Sequence, residues 1–290
     1  MRPELDPRLA AACRAFADWH GGEWTIVRVE PSPEARTVAE LSDGARAVIA
    51  KLGTDDRGAE SFQRLDVLYS LDTRVLRVPE PLAWFAETRA LLTARAEGAP
   101  LRHLDPAGSP DVFARIGRAL AELHAAPIVV GELKTLADHM HDLMRPAPEA
   151  LAAALPEDAM RISAALAMLG ADAASWGETP VVPLHRDFHL RQLFDDGEHI
   201  TVLDWDDAAM GDPAFDVGYL TAYLRSHHGD AAAAPGIAAF LDGYGAAAAL
   251  RARLSTYERF NALRRACRRF RLQDAGWQAE LDAMLARALR

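Results

Sequence analysis

Between Trp24 and Gly98 the sequence is written in short alternating or β-branched runs, and beyond Pro100 that pattern stops. The runs WTIVRVE, TVAELSDG and ARAVIAKLG are separated by PSPEAR and by Asp43-Gly44. Successive side chains of a strand point to opposite faces, so alternation closed off by Pro, Asp-Gly and Gly predicts an antiparallel meander of three strands. Residues 59–71 (AESFQRLDVLYSL) change to helical spacing through Phe62, Leu65, Leu68 and Tyr69, and VPEPLAWFAE and ALLTARAEG then read as two further strands. A helix over residues 1–20 leads in, with Leu9, Ala12, Cys13, Phe16 and Trp19 on one side and Gly21-Gly22 at its end. After residue 98 the chain turns Ala-rich and helical. DVFARIGRALAELHA is the clearest amphipathic helix, and residues 136–175 carry two or three more. Residues 180–203 read as a loop flanked by short strands, and helices fill the rest, interrupted at Pro235, Gly243 and Gly276. The expected fold class is α+β: an N-terminal lobe, 1–97, of small antiparallel sheet plus helix, and a mostly helical lobe, 98–290.

The charge balance narrows the partners. With 32 Lys+Arg against 42 Asp+Glu the net charge is −10, which argues against nucleic acid bound across the surface. No stretch reaches the ~18 consecutive apolar residues of a membrane span, and the first residues, MRPELDPRLAAACRAF, carry charges where a signal peptide needs an apolar run. A cytoplasmic protein with no membrane partner is expected. Cys13 and Cys267 stand far apart without a CxxC, so they predict neither a disulfide framework nor a zinc site, only core residues. In ERFNALRRACRRFRL, the apolar stripe Phe260, Leu263, Cys267, Phe270 places most of the arginines on a solvated face or in pairs with the surplus acids. Trp277 is assigned to packing.

Chemistry concentrates in three blocks. His185 to Gln192 reads HRDFHLRQ; Asp204 follows Asp187 by 17 positions at the end of ITVLD; and Gly211 to Asp216 reads GDPAFD. Asp187, Asp204 and the Gln192 amide supply two carboxylates and one carboxamide at the spacing that phosphoryl-transfer kinases use, one Asp for the attacking hydroxyl and an Asp with an amide for Mg²⁺. The blocks resemble the aminoglycoside phosphotransferase and choline kinase family of the protein-kinase-like superfamily, whose pattern is HGDxHxxN, a strand ending ID[FW][ED], and GDPxxD. The HRDF string with Gln192 is similar to the maltokinase-like branch.

That resemblance implies a two-lobe protein-kinase-like fold and a set of roles. Asp187 takes the proton of an acceptor hydroxyl, while Gln192 and Asp204 hold Mg²⁺. Lys51, on the third strand, contacts the α- and β-phosphates of ATP, with GTP as the alternative, and Glu60 holds Lys51. Residues 91–98 form a hinge whose backbone, at Ala94 and Ala96, meets the adenine edge. Ser32, in the turn at residues 30–36, covers the phosphates. The acceptor is a small-molecule hydroxyl of an aminoglycoside, a sugar or an amino alcohol. His185 braces the loop, and Asp216 caps a helix and steadies the same loop. Three departures stand out. Gln192 replaces Asn and adds a methylene; Arg186 replaces Gly; and Pro31-Ser32-Pro33 stands where a glycine-rich loop would lie. No GxGxxG precedes Lys51 and no APE follows Asp204, so a protein substrate is not expected. Two other readings remain: a nucleotide-binding regulator without turnover, in which Gln192 marks a weakened metal site, and a metal-dependent hydrolase with His185, Asp187 and His189 on one strand face.

Overall fold

The computed structural model describes residues 6–31 and 37–290. In chain order it runs α1 (Pro7–His20), β1 (Thr25–Pro31), β2 (Thr37–Ser42), β3 (Ala47–Leu52), α2 (Arg57–Tyr69), β4 (Leu76–Arg77), β5 (Pro81–Phe85), β6 (Ala90–Ala94) and β7 (Ala99–Pro100). Then come α3 (Pro110–Ala125), α4 (Leu136–Leu143), α5 (Pro148–Ala154), α6 (Ala159–Ser175), β8 (Val182–Leu184), a 3₁₀ turn (Leu190–Gln192), β9 (Leu193–Asp195), β10 (Ile200–Val202) and β11 (Ala209–Gly211). The chain closes with α7 (Ala214–His228), α8 (Asp230–Tyr244), α9 (Ala248–Arg251), α10 (Leu254–Leu272) and α11 (Trp277–Ala288). No helix among the described residues is long and apolar enough to cross a membrane.

Two compact units result. One holds the residues up to Leu101 together with Gln192–Asp207; the other holds Arg102–Arg191 and Ala208–Arg290. The break therefore falls four residues beyond the expected position 97, and the segment carrying Gln192 and Asp204, expected with the helical part, belongs to the first unit. The reason is pairing: β9 and β10 join β4 and β7 in one small sheet, order β4-β10-β9-β7.

The first unit is built on an antiparallel sheet of order β1-β2-β3-β6-β5. In β3 alternate residues Val48, Ala50 and Leu52 are buried, which turns Lys51 to the other face. The α1 stripe Leu9, Ala12, Cys13 and Phe16 packs with Leu41, Ala50, Leu52 and Leu92 into one apolar core. Asp6 caps α1, accepting the Arg8 N–H at 3.0 Å, and Pro7 opens the helix where its missing N–H costs nothing.

In the second unit, α3 and α8 cross backbone to backbone. A side chain on Gly117 would run into the Phe240 carbonyl, and one on Gly243 into Ala114. Gly243, expected as a helix break, is thus a crossing point inside α8. Pro235 also lies inside α8, because packing along α3 outweighs its local preference. Gly276 does act as a boundary, opening α11 with φ +81°. Cys13 and Cys267 are both buried, and Trp277 packs edge-on against Phe270 at 5.9 Å.

Candidate active site

The first unit gathers three acidic and amide groups around one lysine. Lys51 Nζ donates to Asp204 Oδ1 at 2.5 Å and to Asp206 Oδ2 at 2.6 Å. Burial alone would lower the Lys51 pKa, but the two carboxylates outweigh it and hold it above the ordinary value. Asp206 is fixed from below, since Ser61 Oγ donates to its Oδ1 at 3.0 Å. Arg64 donates to the carbonyls of Trp205 and Asp206 at 2.9 and 2.8 Å, and the buried Trp205 indole donates to Val202 O at 2.8 Å. These bonds pin the turn after β10, in which Asp204 sits at φ +63°, a left-handed conformation uncommon for a residue with a Cβ. Gln192 is tied to the same turn: its carbonyl accepts the Leu203 N–H at 2.8 Å and its Nε2 lies 3.4 Å from Asp204 Oδ2.

Gln192 and Asp204 therefore offer an amide and a carboxylate side by side. Hard oxygen donors of this kind suit Mg²⁺, and the longer Gln side chain reaches Asp204 within this turn. In that contact the amide donates through Nε2, and Oε1 is its oxygen donor.

Glu60 does not fit its expected place. It is exposed on α2, and among the described residues it forms no hydrogen bond or ion pair with Lys51. The reason is helical phase: the buried face of α2 runs through Ser61, Leu65 and Leu68, which turns position 60 outward. Asp206 takes the partner's position instead. Ser32 lies outside the described residues. Ala94 ends β6, and its N–H already donates to Glu80 O at 2.9 Å, so that donor is not open to an adenine edge. Ala96 follows in the irregular stretch 95–97.

In the second unit the loop after β8 carries His185, Arg186, Asp187 and His189. These residues form bends rather than a strand, so they do not share a strand face as the hydrolase reading required. The fully buried Asp216, in the first turn of α7, accepts the His185 N–H at 2.7 Å and the Arg186 N–H at 2.8 Å, and His124 Nε2 lies 3.3 Å away. Burial would raise the Asp216 pKa, but His124 and His185 together hold it below the ordinary value. Arg186 adopts φ +67°, a conformation that a glycine, the residue at this place in the family pattern, takes without strain. Its guanidinium offsets the strain by donating to His139 Nδ1 at 3.2 Å and to Asp142 Oδ2 at 3.1 Å. Burial, with Arg186 beside it, pushes His139 down to about 3, so the ring is a neutral acceptor.

Asp187 is surrounded by donors. Tyr219 Oη donates to its Oδ1 at 2.6 Å, Arg264 Nη2 lies 3.5 Å from the same oxygen, and His189 Nε2 lies 3.5 Å from Oδ2. Arg264 also stacks on the Tyr219 ring, 5.1 Å from its centroid. Burial works to raise the Asp187 pKa, and the neighbouring His189, Arg264 and Tyr219 overcome it, holding the carboxyl well below the usual range. Burial lowers the His189 pKa, so at neutral pH the standing positive charge at Asp187 is Arg264.

Sequence reasoning missed Asp206, Ser61, Arg64, Tyr219 and Arg264. Asp206 is the second acid of the DWDD string, and Tyr219 lies one turn beyond Asp216 on α7, so both carried a local signal. Arg264 carried none. It belongs to the stretch whose arginines are expected on a solvated face or in pairs with acids, and Arg259, buried against Asp172, and Arg264, reaching Asp187, are both of the paired kind.

No curated protein matches the chain by sequence. Solved structures do match by fold. A choline/ethanolamine kinase family protein from Mesorhizobium loti is 18% identical, covering 97% of this chain and 93% of that one, with a TM-score of 0.67. A thermostable mutant of the aminoglycoside phosphotransferase APH(4)-Ia, in ternary complex with AMP-PNP and hygromycin B, is 18% identical over 96% and 98% of the two chains, TM-score 0.72. The macrolide 2'-phosphotransferase MphH from Brachybacterium faecium is 21% identical over 97% and 98%, TM-score 0.60. The sequence itself matches the APH family model, the phosphotransferase enzyme family, over residues 26–252. The chain belongs to the APH phosphotransferase enzyme family, as a small-molecule phosphotransferase.

Proposed function

We propose that the protein transfers the γ-phosphoryl group of ATP to a hydroxyl of a small molecule. The hydroxyl oxygen bonds to the γ-phosphorus as the bond from that phosphorus to the β–γ bridging oxygen breaks; ADP leaves, and the hydroxyl proton passes to Asp187. The observation that carries this reading is the Lys51–Asp204 pair at 2.5 Å with Gln192 beside it, because a cation suited to phosphate and two side chains suited to a metal are thereby brought together at the turn after β10.

Lys51 serves the α- and β-phosphates, with Asp206 as its brace. Gln192 and Asp204 are the residues to hold Mg²⁺, which when bound neutralises phosphate charge. In the second unit, Asp187 is ionised throughout the neutral range. A carboxylate of such low basicity serves chiefly to orient the hydroxyl and takes its proton late, which suits a loose transition state. Tyr219 and Arg264 fix the carboxylate's direction.

The regulator reading, in which Gln192 marks a weakened metal site, finds no support in the match to the phosphotransferase enzyme family. A coupled ADP-release screen over aminoglycosides, sugars and amino alcohols tests the assignment, with Asp187→Asn as control. The wild type is expected to release ADP with at least one acceptor. Asp187→Asn is expected to bind ATP normally and lose turnover by at least about a hundredfold. Equal turnover by the two proteins rejects Asp187 as the residue facing the hydroxyl.

A further inference from the structure

A cavity of about 240 Å³ in the second unit is not used by any role given above. It lies along α7 and α10, which run antiparallel there: Tyr219 faces Arg264, and farther along α7 the Arg225 Nε lies 3.3 Å from Glu258 Oε1. Tyr219, Ala222 and Ser226 share one face of α7, and the last two line the cavity. The cavity thus begins about 5 Å, one helical turn, along α7 from the tyrosine that holds Asp187. Its size is below the ~300 Å³ at which pockets for drug-sized ligands begin, and suits a phosphate or carboxylate with a few carbons.

The lining is basic in a chain whose net charge is −10. Five arginines line it against two acids, Asp230 and Glu258. Arg225, Arg287 and Arg290 share those acids, with Arg287 Nη1 at 3.1 Å and Arg290 Nη1 at 3.5 Å from Asp230, and Arg259 is committed to Asp172. Arg265 differs from the other four. It is partly buried, yet among the described residues it forms no hydrogen bond or ion pair. The acid that acts on it through space, Glu280, is paired with Arg269 at 2.7 Å, so an anion entering the cavity would give this partly desolvated guanidinium a direct partner. Arg264, next in sequence, puts a cation at Asp187, where a cationic amino alcohol or aminoglycoside amine would meet repulsion.

We propose that the acceptor is an anionic alcohol, a small hydroxy compound bearing a phosphate or carboxylate, whose anionic group seats against Arg265 in the α7/α10 cavity while its hydroxyl faces Asp187. The proposal rests on the phosphotransfer reading above and names its substrate class.

Two measurements test it. In the first, inorganic phosphate is titrated calorimetrically into wild type, Arg265→Gln and Arg265→Lys, each saturated with AMP-PNP so that nucleotide sites are filled. In the second, ADP release is followed with glycerol, glycerol 3-phosphate and glycerate, with glucose, glucose 6-phosphate and gluconate, and with choline and kanamycin. Phosphate should bind wild type, weaken by about tenfold or more in Arg265→Gln, and be retained in part by Arg265→Lys. An anionic acceptor should outpace its neutral counterpart, and Arg265→Gln should raise its KM about tenfold with kcat and the KM for ATP little changed. Urea unfolding should show Arg265→Gln at least as stable as wild type, since the arginine has no partner to lose. Equal phosphate binding by wild type and Arg265→Gln overturns the proposal. Turnover of choline or kanamycin above every anionic acceptor overturns it while leaving phosphotransfer intact. Arg265-dependent phosphate binding without ADP release from any compound supports the anion site and rejects the transfer reading.

Discussion

Replacing Asp216 with Asn is the most exacting perturbation of the loop that carries Asp187. The wild-type carboxylate divides its acceptors: Oδ2 takes the His185 N–H at 2.7 Å and faces His124 Nε2, while Oδ1 takes the Arg186 N–H at 2.8 Å. An amide keeps one acceptor and turns a donor toward the other N–H. If the oxygen stays with His185, the Arg186 N–H is left buried and unpaired. One charge-assisted bond to a buried carboxylate is worth roughly 1.5–3 kcal/mol, and an unpaired buried N–H adds about 1 kcal/mol. The expected loss is therefore about 2.5–4 kcal/mol, a large share of the ~5–15 kcal/mol that stabilises a typical domain. The released Arg186 is also the residue held at φ +67°, so the loop gains a reason to relax and Asp187 loses its aim.

Urea unfolding followed by far-UV circular dichroism reads this directly, and its pH dependence identifies the carboxylate. Asp216 has a depressed pKa in the folded state, so its contribution is complete above the unfolded value of about 3.9 and is lost as pH falls from there through the folded value. The gap between wild type and Asp216→Asn should be full at pH 7 and narrow by roughly 1 kcal/mol per pH unit below about pH 4. Coincident unfolding curves at pH 7 would refute the reasoning.

Removing the Tyr219 hydroxyl in Tyr219→Phe deletes the 2.6 Å bond to Asp187, so the Asp187 pKa should rise and the acid limb of the kcat/KM profile should move to higher pH. Asp206→Asn takes a charge from beside Lys51 and should raise the KM for ATP about tenfold, whereas Glu60→Gln should leave it unchanged; initial-rate kinetics on the two variants separates the observed brace from the expected one. Gly243→Ala drives a methyl group into the Ala114 backbone of α3 and should cost about 1–3 kcal/mol in urea, with no change in the KM for ATP.

Much of the candidate site is local and so could be read along the chain. HRDFHLRQ, the ITVLDWDD turn and GDPAFD are contiguous strings whose chemistry follows from residue type and order, and the β3 alternation alone assigns Lys51 to the face away from the core. The meander, the two further strands with their connecting helix and the amphipathic α3 follow from periodicities of two and 3.6, whereas the sheet order β1-β2-β3-β6-β5 is a tertiary pairing. Pairings across long stretches of chain are different in kind. Whether Glu60 or Asp206 meets Lys51 depends on the phase at which α2 settles on the sheet, and that phase is set by which of Ser61, Leu65 and Leu68 finds a cavity to fill. The arginines of α10 share one periodic pattern in sequence, yet Arg259 is buried against Asp172, Arg264 reaches Asp187 and Arg265 opens on a cavity, because α10 packs against α4, α5, α6, α7 and α11 on its different sides. Gly243 and Pro235, local breakers by propensity, remain inside a helix because close packing with α3 is worth more than the bond and the entropy they forgo. Composition and spacing thus determined which groups the protein possesses for phosphoryl transfer; only the packing of helices from distant parts of the chain decided which charges stand beside them.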